Sequence, residues 1–221
     1  MFSRFVRSLF SDPESHPGWP EATPTVALPN GAVVQLRPLT RKDGGLWSSF
    51  RREDESILRP VEPTTHDWKA STSLAAWSQS LAFMEDEAYA GRLVPLAITC
   101  NHQFAGQLTL GNVQRGAVSE AWIGYWVSSR YQGMGVATAA VALGVDHAFA
   151  RMKLHRLTAT YLPGNEASHA VLAHAGFHEE GYLRKALHID GEWRDHHFVA
   201  LNQDDFATLA VNRLWHAGRI R

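Results

Sequence analysis

Residues 136–152, VATAAVALGVDHAFARM, are apolar almost all the way round the helix they would form: Val136, Ala139, Ala140, Val141, Leu143, Val145, Ala148 and Phe149 leave no polar stripe for water. A helix of that kind lies buried against a sheet. It is entered from a strand-like segment, 120–127 (EAWIGYWV), through the polar turn SSRYQGMG. Strand, glycine turn and buried helix in series require a sheet with helices laid on it, so the chain is expected to be a mixed α/β (α+β) domain.

The remaining pattern fills in that sheet. Residues 32–37 alternate as a strand stopped by Pro38, and Thr40 caps a helix over 41–57 with Leu46, Trp47, Phe50 and Ile57 as its stripe. The two prolines of 59–66 (RPVEPTTH) end that helix in a loop. A second helix over 68–90 carries Leu74, Trp77, Leu81 and Met84. Strands 94–100 and 104–113 flank the polar turn Asn101-His102-Gln103, and the strand 120–127 follows. Beyond the buried helix come a strand (156–161), a helix (165–175) and a strand (177–189). Asp190-Gly191 is a hairpin turn returning as 192–201, and a helix over 204–217 ends the chain. The sum is a mostly antiparallel central sheet of about seven strands flanked by helices. The folded domain is expected over 31–205, with 206–221 as a tail helix. Residues 1–30 read as an arm: 11–30 hold five of the ten prolines, and the first ten residues suggest a short amphipathic helix docked on the domain.

Composition narrows the function classes. A formal net charge of -1 provides no global basic field, so direct nucleic-acid binding is not expected. The single cysteine, Cys100, allows no internal disulfide and reads as a small apolar residue. No apolar run approaches the ~20 residues of a membrane span, and the expected location is the cytoplasm. The twelve histidines include His169, His174, His196 and His197, but none of these has the spacing of a metal site with a third ligand.

Chemistry concentrates at Arg130-x-x-Gly133-x-Gly135. Two glycines let the backbone turn tightly and approach a ligand, and the first amides of the following helix have no acceptor within it. Together with the helix dipole they make an anion site. A pyrophosphate fits, held by N–H groups of Gly133, Gly135, Val136, Ala137 and Thr138, with Gln132 and Met134 in the same turn and Arg130 adding charge. The bland alternative is a turn that only links strand to helix. A P-loop would need a lysine after its glycines, and a dinucleotide fold a third glycine and an acidic ribose ligand about 20 residues on; neither is present.

This segment resembles the acetyl-CoA pyrophosphate loop of the GNAT acetyltransferases. Leu162-Pro-Gly-Asn165-Glu-Ala-Ser168, followed by Ala175-Gly-Phe177, is similar to that family's second CoA-contacting helix and its closing G-F. Leu58-Arg-Pro-Val-Glu-Pro63, Ile123-Gly-Tyr-Trp126 and Ile189-Asp-Gly-Glu-Trp-Arg-Asp-His196 are similar to its ribosomal-protein alanine N-acetyltransferase (RimJ/RimL) subgroup. The resemblance spans about residues 31–205. It implies a GNAT fold, acetyl-CoA as co-substrate and direct acyl transfer to an amine, with a protein N-terminus as partner, plausibly an alanine of a ribosomal protein. A small free amine as acceptor, or a non-catalytic acyl-CoA-binding module, are the alternatives. The resemblance also implies that the Val127 amide polarises the thioester carbonyl. Many GNAT enzymes place a tyrosine four residues before the glycine of that G-F, and this chain has Leu172 there. Ser168 becomes the candidate proton donor to sulfur, and Asn165 a pantetheine or substrate partner or an ordinary helix cap. Two carboxylates compete for acceptor binding or base work: Glu62, favoured by the resemblance, and Glu120. An α-amine, with a pKa of ~7.7–8.0, is already partly neutral at pH 7, whereas a lysine at ~10.4 is not, so a mild base suffices for a protein N-terminus.

Overall fold

In the computed structural model, which describes residues 18–221, eight strands form one sheet. They are β1 (Val26–Ala27), β2 (Val33–Pro38), β3 (Leu93–Cys100), β4 (Gln103–Gln114), β5 (Glu120–Val127), β6 (Arg156–Tyr161), β7 (His178–Ile189) and β8 (Glu192–Asn202). Their order is β1-β2-β3-β4-β5-β6-β8-β7, and every neighbouring pair is antiparallel except β5 and β6. The longer helices are α1 (Gly44–Glu53), α2 (Leu74–Tyr89), α3 (Val136–Asp146), α4 (Glu166–Ala175) and α5 (Ala210–His216). The mixed, mostly antiparallel architecture expected from the pattern is the one observed.

Alternation along the strands divides the core. Leu96 and Ile98 of β3 face the α3 side, in one cluster with Leu36, Leu108 and Val141. Ala97, between them, faces the other side with Trp47, Phe50, Trp77 and Leu81 of α1 and α2. Burying each such leucine or isoleucine contributes roughly 1.5–3 kcal/mol. Helix α3 is buried along nearly its whole length, against β2, β4 and β5 on one side and α4 and α5 on the other.

Several expectations are corrected. There are eight strands, because part of the supposed arm joins the sheet: β1 pairs with β2, and Trp19, Val26 and Leu28 are buried in the main cluster. The prolines there punctuate an edge, where a missing N–H is tolerated. The rest of the arm and the expected N-terminal helix fall in residues 1–17, outside the described residues. The helix expected over 41–57 stops at Asp54, followed by a short turn at Glu55–Leu58, and Leu46 and Ile57 of its supposed stripe are exposed. The helix expected over 68–90 is broken. Thr72 Oγ1 donates to Trp68 O at 2.7 Å, and Ser73 caps the new start by accepting from Ala76 N at 3.2 Å. Side-chain hydroxyls compete here with the helical ladder. Helix α3 likewise ends at Asp146, and a π-turn carries the chain from His147 to Arg151.

Candidate active site

Strands β5 and β6 pair only over Glu120–Trp122 and Arg156–Thr158; beyond that they diverge. A wedge opens between the last residues of β5 and β6. On its β5 wall, Ser128 N donates back to Ala105 O of β4 at 2.9 Å. Alternation therefore turns the N–H and C=O of Val127 the other way, into the wedge. The Val127 carbonyl accepts from Gln132 Nε2 at 3.3 Å, which confirms that direction.

The turn after β5 carries the wedge to a helix end. Gly133 and Gly135 have φ of +71° and +87°, the left-handed region that an L side chain enters only with strain. A Cβ on Gly133 would meet nothing within 4 Å, so the turn is open rather than packed shut. Gly135 is the N-cap of α3 and offers no side-chain cap. The first bond of the helix runs from Ala139 N to Gly135 O at 3.0 Å, which leaves the amides of Val136, Ala137 and Thr138 without a helical acceptor. Val136 buries its side chain, while the backbone from Gln132 to Gly135 lies at the surface. This is a cradle of main-chain donors that can hold a pyrophosphate.

Helix α4 forms the facing wall. Asn165 caps it, its Oδ1 accepting from Ser168 N at 3.1 Å. The Ser168 hydroxyl lies 3.2 Å from the hydroxyl of Tyr125, which also donates to Ser168 O at 3.4 Å. Burial pushes the Tyr125 phenol up to about 12, only partly offset by its bond to Ser168. The phenol thus stays protonated at neutral pH. Tyr125 reaches across from β5, so strand and helix present two hydroxyls at one point.

On the opposite face of the sheet, the end of α1 is fastened to the turn. The buried carboxylate of Asp54 accepts Ser129 N at 2.9 Å and Ser129 Oγ at 2.5 Å, and Arg130 pairs with Glu53 at 2.7 Å. The loop after α1 is fastened to the β7–β8 hairpin. Thr64 N donates to His188 O at 2.9 Å, Gly191 N to Thr64 Oγ1 at 2.8 Å and Arg59 Nε to Asp190 Oδ1 at 2.7 Å. Between them lies an open cleft of about 610 Å³ lined by Glu53, Glu55, Ser56, Arg59, Pro60 and Asp190. Glu62, in the same loop, gives both carboxylate oxygens to Arg51.

The model of the Acetyltransferase (GNAT) domain matches residues 34–178. The chain belongs to the GNAT acetyltransferase family. Mycobacterium smegmatis RimJ in complex with CoA-disulfide superposes with a TM-score of 0.91 at 46% identity, over 93% of this chain and 99% of that one. The protein named "Probable N-acetyltransferase YjcK" of Bacillus subtilis (strain 168) is 46% identical over 182 residues, 79% of this chain and 97% of its own. The [Ribosomal protein uS5]-alanine N-acetyltransferase of Escherichia coli (strain K12) is 27% identical over 86% of this chain and 97% of its own. This chain is therefore a GNAT N-acetyltransferase similar to the RimJ/RimL type, with acetyl-CoA as co-substrate.

Within the acetyltransferase, the sequence-expected residues divide clearly. Val127, Gln132, Gly133, Met134, Gly135, Val136, Ala137 and Thr138 fall together along one wall of the wedge, and Asn165 and Ser168 lie on the other. Arg130 flanks the turn but is engaged by Glu53, with its guanidinium 5.1 Å from the Phe50 ring. Glu120 is not brought to the site. It opens β5 at the closed end of the wedge, 3.6 Å from Arg156, and seven residues of strand separate it from Val127, about 23 Å at ~3.3 Å per residue. Leu172 is buried in the main cluster, so no polar group occupies that helical position. Sequence reading missed Tyr125. Its signal was present: in an alternating strand it shares a face with Ala121 and Ile123, toward the helices, and not with Glu120 and Trp122.

Proposed function

We propose that this enzyme transfers acetyl from acetyl-CoA to the α-amine of a protein N-terminus, with an alanine-starting ribosomal protein as the acceptor class. The observation that carries this reading is the shape of the acceptor side. The cleft beside Glu53, Arg59 and Asp190 is open to the surface, and Glu53 in its wall pairs with Arg130 of the turn, so an extended chain end has room to enter there. A small free amine would be held better in a closed pocket. The activity named for the Escherichia coli relative, on a ribosomal-protein alanine, supports the same acceptor class. A cytoplasmic site of action follows from that acceptor.

In this reading the backbone amides of Gly133, Gly135, Val136, Ala137 and Thr138 bind the pyrophosphate, with Gln132 and Met134 shaping the turn. The Val127 N–H polarises the thioester carbonyl, whose oxygen gains negative charge as the amine attacks. The new C–N bond forms as the C–S bond breaks. The departing sulfur takes a proton from Ser168 Oγ, which regains one from the nitrogen as the amide forms, and Tyr125, whose hydroxyl lies 3.2 Å away, positions that serine. Asn165 holds the helix end that carries Ser168. Glu62 receives the acceptor ammonium, and the amine loses its proton to water, which its ~7.7–8.0 pKa allows near neutrality.

Incubation with acetyl-CoA and a panel of Ala-starting peptides and small free amines, followed by CoA release, tests this assignment. Turnover is expected on the peptides. Turnover confined to polyamines, amino acids or aminoglycosides would reject the protein acceptor.

A further inference from the structure

Arg51 lies in the last turn of α1, beneath the end of β5. Its guanidinium carbon is 5.1 Å from the ring centre of Trp47, 5.1 Å from that of Trp68 and 5.3 Å from that of Trp126. Its two terminal nitrogens bond the two oxygens of Glu62, and only 12% of its side chain is exposed. Trp68 is fixed in turn by donation from its Nε1 to Arg51 O at 3.0 Å. The Nε–H of Arg51 is buried and meets no acceptor among the described residues.

Stability alone does not account for this cluster. A buried guanidinium and carboxylate both lose their hydration, and apolar replacements of similar volume are often as stable. An unsatisfied buried donor adds a cost of about 1–3 kcal/mol. What three rings and a planar two-pronged bond achieve is direction. They hold the carboxylate in one plane and leave its outer lone pairs available. One of the rings, Trp126, precedes Val127, so the orientation of Glu62 is referenced to the reacting carbonyl through two side-chain contacts.

We infer that Arg51 is a positioning residue: clamped by Trp47, Trp68 and Trp126, it aims Glu62 at the incoming amine and so sets acceptor affinity. The inference rests on the proposed role of Glu62 in receiving the acceptor.

The test is steady-state kinetics with an Ala-starting peptide, varying peptide and acetyl-CoA separately, on Arg51→Lys, Arg51→Ala, Glu62→Gln and the Arg51→Lys/Glu62→Gln pair. Lysine keeps the charge but cannot make the planar double bond. Arg51→Lys is expected to raise the peptide KM about tenfold or more, the scale of a lost charge-assisted hydrogen bond, with the acetyl-CoA KM unchanged within about twofold. The pair should be no worse than Glu62→Gln alone, and millimolar guanidinium should restore part of the peptide affinity of Arg51→Ala. If Arg51→Ala does not fold, the lysine variant and the pair decide the matter. Wild-type kinetics in Arg51→Lys while Glu62→Gln is impaired, a parallel rise of both KM values, or additive losses in the pair would overturn the role of Arg51. A neutral Glu62→Gln would instead remove the reading of Glu62 on which the inference stands.

Discussion

Chemistry at single side chains turns on the meeting of Tyr125 and Ser168. The phenol donates to Ser168 O at 3.4 Å, and either hydroxyl can donate in their 3.2 Å contact, so Tyr125 fixes where the Ser168 hydroxyl sits. Ser168→Ala is expected to lower kcat about 10²-fold, the low end for a lost proton donor, with acetyl-CoA affinity by calorimetry within about twofold. Tyr125→Phe keeps the ring and removes only the orienting bond, so a loss of about tenfold is expected, and none beyond that of Ser168→Ala in the double variant. Full activity in Ser168→Ala would take the serine out of the mechanism. Because burial raises the phenol to about 12, Tyr125 should add no alkaline limb to the rate profile below about pH 10.

Strand β5 works as an element because β4 lets it come close. A Cβ on Gly106 would lie 2.1 Å from Trp126 O and 2.9 Å from Val127 Cα, both backbone atoms that cannot swing aside. Gly106→Ala is therefore expected to push β5 outward at Val127, whose amide is proposed to polarise the carbonyl. It should cost about 1–3 kcal/mol of stability in denaturant unfolding and lower turnover as well. Gly133→Ala makes the contrast. The added methyl meets nothing within 4 Å, and the only penalty is the positive φ, roughly 1–2 kcal/mol. Equal unfolding midpoints for Gly106→Ala and wild type would show that the strand yields more easily than its geometry implies.

Over the whole molecule, the segment that begins at Gly18 packs against the π-turn that follows α3. His147 is buried and its Nε2 lies 2.7 Å from Gly18 O, while Arg151 pairs with Glu21. Burial lowers the pKa of His147 below its ordinary value, and the bond to Gly18 opposes this only in part. In acid the unfolded chain therefore takes this proton before the folded one does. The stability tied to neutral His147 is present above about pH 6.5 and is lost as pH falls through the lower folded value. Thermal unfolding between pH 7 and 5 should show a falling midpoint, accompanied by faster amide exchange in 18–28, and His147→Gln should flatten both. A midpoint independent of pH over that interval would contradict the assignment.

Much of this was legible locally. Turn glycines, helix periodicity and strand alternation depend on near neighbours, so the open glycine turn, the buried α3 and the mostly antiparallel sheet could be read directly from residues 120–152 and their flanks. The motifs at 58–63, 162–177 and 189–196 pointed to the family for the same reason. Everything decided by distance in space and not along the chain was out of reach. Proline count marked 11–30 as an arm, yet Leu28 is buried, because Pro24 and Pro29 lie on either side of the two-residue edge strand and leave its pairing intact. Glu120 and Glu62 competed for the same role, with only the resemblance favouring Glu62. Divergence of β5 from β6 left Glu120 at the closed end, and Arg51, clamped by three tryptophan rings, holds Glu62 by both carboxylate oxygens. The bond between Tyr125 and Ser168, 43 positions apart, exists only because strand and helix converge on the wedge.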